Sequence, residues 1–217
     1  MRPESSTYQE TYRWLLEHLP MYQRIGPPAY KEGLERIRHL CQFLDQPQDR
    51  MGFIIHVAGT NGKGSTTQII TKLLMAHGLQ VGTYTSPHLE ALTERITRDG
   101  EQIDQQEFAD CVAAIADIEV LAGVRPSYFD ILTAAAFRYF ADSAVDVAVI
   151  EVGMLGRWDA TNVVKSDVAV ITNIALDHME FAGPTLQHIA YEKVGISKAN
   201  SSLVIGDENP DLFSIWN

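Results

Sequence analysis

From His56 to Thr66 the chain reads H-V-A-G-T-N-G-K-G-S-T, in which three glycines and a lysine lead into hydroxyl side chains. That combination can hold phosphate. Gly59, Gly62 and Gly64 let backbone N–H groups approach phosphate oxygens, a helix N-terminus adds partial positive charge, and Lys63 adds a full one. Thr60 and Asn61 lie in the same cradle, and Ser65 or Thr66 can hold a magnesium ion. The spacing is a variant of G-x-x-x-x-G-K-[ST], because Val57 stands at the first glycine position and Gly64 separates Lys63 from Ser65. The bland alternative is an ordinary glycine-rich turn.

Other polar groups follow apolar runs in the same way. V-D-V-A-V-I, from Val145, delivers Glu151 to a strand end, where an acid in a phosphate-loop protein can bind magnesium directly or through water; an exposed strand-end carboxylate is the competing reading. Thr85-Ser86-Pro87-His88 offers hydroxyls and an imidazole, or an ordinary proline turn. Thr172 to His178 again follows an apolar run, Val168 to Ile171.

These groups need a scaffold that brings strand ends together. Apolar, β-favouring residues at Phe53–Val57, Leu79–Tyr84, Val145–Ile150, Val168–Ile171 and Leu203–Ile205 alternate with helical patterns, of which the one after the glycine loop should end at Gly78. Asp104 with Glu107 and Ser127 with Asp130 have capping-box spacing ahead of two further helices, and Thr185 can cap another. The order predicts an α/β fold: a mostly parallel phosphate-loop sheet flanked by helices, with its functional loops along the carboxyl edge. Residues 1–50 read as a helical lead-in, with helices over Tyr8–Leu19 and Leu34–Leu44 on either side of a loop at Gly26-Pro27-Pro28, and residues 51–217 as the nucleotide-binding domain. His18 and His39 read as surface or interface histidines.

Composition narrows the classes. Forty-six per cent hydrophobic residues in 217 can fill a sizeable core. The formal charge of −11 argues against a nucleic-acid backbone as main ligand, and an anionic ligand would need Lys63, helix N-termini and divalent metal against the wider field. No long apolar run and no apolar leader predict neither membrane insertion nor secretion, leaving a cytoplasmic location, and Cys41 and Cys111 read as buried reduced thiols.

Five ordered stretches resemble the folylpolyglutamate synthase and dihydrofolate synthase branch of the Mur-type ligases: G-T-N-G-K-G-S-T from Gly59, T-S-P-H-L from Thr85 with E-R-I from Glu94, E-V-G from Glu151 with D-A-T-N from Asp159, L-D-H from Leu176, and E-K-V-G-I from Glu192. The resemblance implies a Mur-ligase-like central ATPase domain that joins L-glutamate to folate or dihydropteroate through an acyl phosphate. It implies ATP phosphates on Lys63, and a primary magnesium environment of Ser65, Ser86 and Glu151. His178 falls at a second metal position, and Lys193 at the lysine that becomes carbamylated; without the resemblance Lys193 reads as a helix-surface ion pair. Catalytic roles are thus implied for Lys63, Glu151, His178 and Lys193. His88, Arg95 and Asp159 are candidates for the acceptor substrate, with a surface ion pair as the alternative for Arg95.

The chain departs from the family pattern where Leu155 replaces a glycine, where Trp158 adds bulk near the acceptor, and where Val194 and Ala199-Asn200 replace an alanine and a proline-glycine turn. Family members continue through a C-terminal ligase domain, which is absent from these 217 residues, so a truncated sheet edge open to association, marked by Trp216, is expected. Two other functions compete: a noncatalytic nucleotide-binding or interaction module, and a generic phosphate-loop NTPase.

Overall fold

The computed structural model describes residues 7–26, 32–122 and 125–216. The expected loop at Pro27-Pro28 and the N-terminal stretch through Ser6 lie outside the described residues. Helices α1 (Tyr8–His18), α2 (Tyr22–Ile25) and α3 (Glu35–Phe43) precede β1 (Phe53–Ala58), α4 (Lys63–Ala76) and β2 (Val81–Tyr84). Then come β3 (Ile96–Arg98), β4 (Glu101–Gln102), α5 (Gln105–Ala122), α6 (Tyr128–Asp142), β5 (Val147–Glu151) and β6 (Val168–Ile171). The described chain closes with α7 (Met179–Ala182), α8 (Leu186–Val194), β7 (Ser202–Ile205) and α9 (Phe213–Trp216).

One sheet holds the strands in the order β4-β3-β2-β5-β1-β6-β7. From β2 to β7 the pairs are parallel, and β1 lies between β5 and β6, with Val57 level with Glu151 and Ala58 level with Ile171. The chain leaves β1 towards β2 on one side and later returns to β6 on the other. A crevice therefore opens at the carboxyl end of β1, where such sheets bind ligands. The amino edge is fixed by acids: Asp167, Asp146 and Asp99 accept the N–H groups of Ile54, Gln80 and Val81 at 2.7 to 2.8 Å.

Beside β2 runs the antiparallel hairpin β3–β4, in a stretch to which the sequence pattern assigns no strand. Asp99 and Gly100 turn it with φ of 52° and 81°, the positive pair that a two-residue turn of this hand requires. The strands are too short for an alternating pattern to stand out, although the Asp-Gly pair was visible.

Alternation along β1 divides the core. Val57 packs with Ile55, Val149 and Ile70 beneath α4, whereas Ile54 joins the large cluster formed with α1, α3, α5 and α6, including Leu15, Ile37, Phe108 and Phe137. A third cluster joins Ala58 and Ile171 to Ile189 of α8. The lead-in helices thus share the principal core. Ser127 and Asp130 form the expected reciprocal cap, Thr185 accepts the His188 N–H, and Gly78 follows α4 at φ 83°. Cys41 and Cys111 are buried free thiols, with burial raising their pKa to about 12 and about 11. The exposed His18 and His39 stack on Trp14 and Phe43. Trp216 does not mark an open face: it packs against the α8 cluster, and its Nε1 is buried.

Candidate active site

β1 ends at Ala58 and the glycines take over where side chains would not fit. Gly59 has φ 152°, and a Cβ there would lie 1.8 Å from Thr172 Oγ1; Gly62, at φ 78°, starts α4. The loop leans on the segment after β6. Thr60 N and Asn61 N donate to the backbone oxygen and side-chain oxygen of Asn173, while Thr172 Oγ1 donates to Asn61 O at 2.7 Å. Thr60 Oγ1 and Ala175 exchange two further hydrogen bonds. With its shape fixed in this way, the loop presents the first turn of α4, including exposed Ser65 and half-buried Thr66, to the crevice.

Two lysines meet at one carbonyl. Lys63 Nζ donates to Gly59 O at 3.1 Å and to Thr60 O at 3.3 Å, and Lys193 Nζ donates to Gly59 O at 3.0 Å. Lys193 is not on the helix surface but 1% exposed. Burial first, and the charge of Lys63 second, lower its pKa to about 8. A helix carries this lysine inward because α8 packs Ile189 and Ala190 against the sheet.

Glu151 ends β5 beside the loop, with both carboxylate oxygens 3.6 Å from where a Cβ on Gly64 would stand. It is buried, accepts the Ser86 N–H at 3.0 Å, and has its pKa raised chiefly by burial despite the attraction of Lys63 and Arg95. A divalent cation would supply the missing positive charge. Hydroxyl and carboxylate oxygens are hard donors, and magnesium characteristically takes one or two carboxylates and completes its shell with water and phosphate oxygens. The residues fit that role. Among the described residues no three His, Cys, Asp or Glu side chains form a ligand cluster by themselves.

A cavity of about 300 Å³ opens beside this corner, and Lys63, Ser86, Arg95, Asp159 and His178 all line it. Arg95 is 3% exposed, so a surface ion pair does not describe it. Its guanidinium carbon lies 5.8 Å from the Tyr128 ring centroid, and its Nε donates to His88 Nδ1 at 2.9 Å. The neutral His88 ring therefore carries its proton on Nε2, and burial with the Arg95 charge lowers its pKa. Asp159 is buried and organises its own loop, accepting from Met154 N, Thr161 N and Thr161 Oγ1. His178 stands at φ 48°, its Nε2 3.5 Å from Asp177.

Residues 57–213 match the family model of the Mur ligase middle domain. The chain belongs to the Mur ligase family. This Mur ligase chain is 40% identical, over 92% of its length, to a dihydrofolate synthase/folylpolyglutamate synthase of Mycobacterium tuberculosis, of which it covers 44%. It superposes on Escherichia coli FolC in complex with DHPP and ADP with a TM-score of 0.89 at 33% identity, covering 99% of this chain and 50% of that one. For a bifunctional folylpolyglutamate synthase/dihydrofolate synthase with Mn, AMPPNP and L-glutamate bound, the TM-score is 0.84 at 34% identity, over 97% and 49% of the two chains. The chain thus spans about half the length of these relatives.

Thr172 and Asn173, polar groups after an apolar run in the sequence, carry only a weak signal there for the way they brace the loop. Arg36 and Phe129, which also line the cavity, had none: the first lies in the lead-in, and the second sits in a helix whose pattern reads as core. Trp158 lines the cavity as its bulk suggested.

Proposed function

We propose that this chain forms the ATP-binding part of an amide ligase that joins L-glutamate to folate or dihydropteroate, with residues 1–50 as a lead-in to the nucleotide domain at 51–217. One observation carries the reading: two lysine ammonium groups converge on Gly59 O, with Glu151 alongside, at the mouth of a cavity lined by arginines and aromatic rings. The ligands named for the solved relatives, ADP, AMPPNP, DHPP and L-glutamate, support it.

The cradle from Gly59 to Thr66 holds the ATP phosphates, and Lys63 exchanges the Gly59 and Thr60 carbonyls for phosphate oxygens. The acceptor lies in the cavity, its ring system against Phe129 and Trp158 and its anionic end towards Arg95, with His88 Nε2 and the Asp159 loop at its border. The acceptor carboxylate attacks the γ-phosphorus, the bond to the ADP oxygen breaks, and an acyl phosphate forms. The glutamate amine then attacks the acyl carbon, phosphate leaves, and the nitrogen loses a proton. Ser65, Ser86 and Glu151 would hold magnesium, which would supply charge neutralisation in this chemistry. His178 and Lys193 would hold a second metal ion. Lys193 would serve there as a carbamate, formed when its neutral amine adds carbon dioxide and loses a proton, and its burial raises the fraction of that neutral form. Buried free thiols and ATP as substrate suit the cytoplasm.

Calorimetry with ATP and magnesium tests the nucleotide site. Wild type should bind, and Lys63→Ala should bind at least roughly 30-fold more weakly, as expected for losing a charge-assisted hydrogen bond of about 2 kcal/mol. Equal heats in the two proteins would remove the phosphate role of the loop.

A further inference from the structure

His56, two residues before the end of β1, takes no part in that chemistry, yet it is wholly buried on the sheet face opposite α4. Its Nε2 lies 2.8 Å from Thr161 Oγ1, and Thr161 Oγ1 donates to Asp159 Oδ1. A hydroxyl has one proton to give. With that proton on the carboxylate, the oxygen of Thr161 can only accept from the imidazole, so His56 must carry its proton on Nε2. The other nitrogen agrees: Nδ1 is buried with no hydrogen-bond partner, a place where a bare lone pair is better tolerated than an unpaired N–H. Burial, and behind it the charge of Lys198, lowers the His56 pKa to about 3, so the ring stays neutral.

The geometry points to His56 as a positioning residue: through Thr161 it fixes Asp159, and with it one wall of the acceptor cavity, in register with the phosphate loop that begins three residues further along the same strand. Asp159 in turn accepts from Met154 N at 2.8 Å and Thr161 N at 3.0 Å, so the chain of bonds gathers the loop from Met154 to Thr161. Met154, Trp158, Asp159 and Ala160 of that loop all line the cavity. β1 thereby holds both sides of the transfer: its backbone leads into the phosphate cradle, and its one buried histidine holds the neighbouring wall. That this wall faces the acceptor rests on the function proposed above; the bond chain does not.

Three measurements on the intact chain test it. Nitrogen-15 NMR of the imidazoles at neutral pH should show His56 with a protonated Nε2 and an unprotonated Nδ1; a proton on Nδ1 overturns the proposal. Amide hydrogen exchange at Met154 and Thr161 should quicken about tenfold or more in His56→Leu, and stay within about threefold in His56→Gln, whose amide restores an N–H donor. Val152, whose N–H donates to Val57 O, should keep its rate. Thr161→Val should reproduce the leucine result, and it decides the matter if the leucine variant does not fold. Unchanged exchange in these variants, or a glutamine variant as loose as the leucine one, overturns the proposal. Finally, pteroate affinity should fall about tenfold in His56→Leu with ATP affinity within twofold; equal loss of both would mean a general structural role. Failure of wild type to bind pteroate would strike the acceptor reading alone, while the tautomer and the exchange rates still decide the role of His56.

Discussion

On one flank of β1, the loop from Gly59 to Gly62 keeps its shape through backbone groups and the segment from Thr172 to Ala175, whereas the cavity on the other flank is assembled from side chains. Those side chains come from far apart: Arg36 from α3, Arg95 before β3, Phe129 from α6, Trp158 after β5. Backbone geometry tolerates almost no change at a glycine that touches a neighbour, while a wall of side chains can be altered one residue at a time. The nucleotide side should therefore fail abruptly when altered, and the acceptor side by degrees.

The largest effect expected is for Gly59→Ala. Its Cβ would overlap Thr172 Oγ1 at a backbone angle that side chains rarely adopt, so ATP affinity should drop more than about 100-fold by calorimetry, with a lower Tm. A variant that still bound ATP normally would break the contrast between the flanks. Arg95→Ala should weaken pteroate binding by roughly 10- to 100-fold, as expected for losing a buried charge-assisted contact, and leave ATP within about twofold. Parallel loss of both ligands would show that the flanks are not separable.

Leu155 sharpens the comparison, because on the acceptor side a side chain occupies a position that favours glycine. It stands at φ 57° yet is 3% exposed. Leu155→Gly would relieve about 1 kcal/mol of backbone strain but forfeit roughly 3 kcal/mol of burial. The net is a loss of about 2 kcal/mol, and calorimetric melting should show Tm falling by roughly 5 °C. A rise in Tm would mean that strain outweighs packing there.

Lys193, at the seam, should respond in a graded way. Its folded pKa of about 8 lies below the usual lysine value, so between pH 8 and 10.5 the unfolded chain binds more protons than the folded one. Its contribution to stability therefore rises with pH through that window, and below pH 8 the cost of burying the cation is fully present. Carbon-13 NMR with labelled bicarbonate should show carbamate increasing as pH is raised from 7 towards 8.5. A signal unchanged in Lys193→Arg would assign it elsewhere.

The same contrast explains what the sequence made legible. A phosphate cradle must be contiguous, since successive N–H groups have to point at one ligand, and so it is written as one string from Gly59 to Thr66. Glu151 was readable because an apolar strand ends on it. The cavity wall has no such string: Phe129 and Tyr128 look like core residues on a capped helix, and only tertiary packing sets the Tyr128 ring against Arg95 and brings all three into one wall. Arg95 and Lys193 show how exposure misleads, since a lone cation in a sequence defaults to the surface, whereas both are buried against named partners. The β3–β4 hairpin was missed for want of length.

The carbonyl shared by the two lysines also has a kinetic consequence. For Lys63, Gly59 O serves as a stand-in acceptor, holding its ammonium group at the site before any phosphate arrives. Capture then requires an exchange of acceptors rather than a refolding of the loop, so ATP association should run close to the encounter-limited rate and slow as salt screens the Lys63 charge.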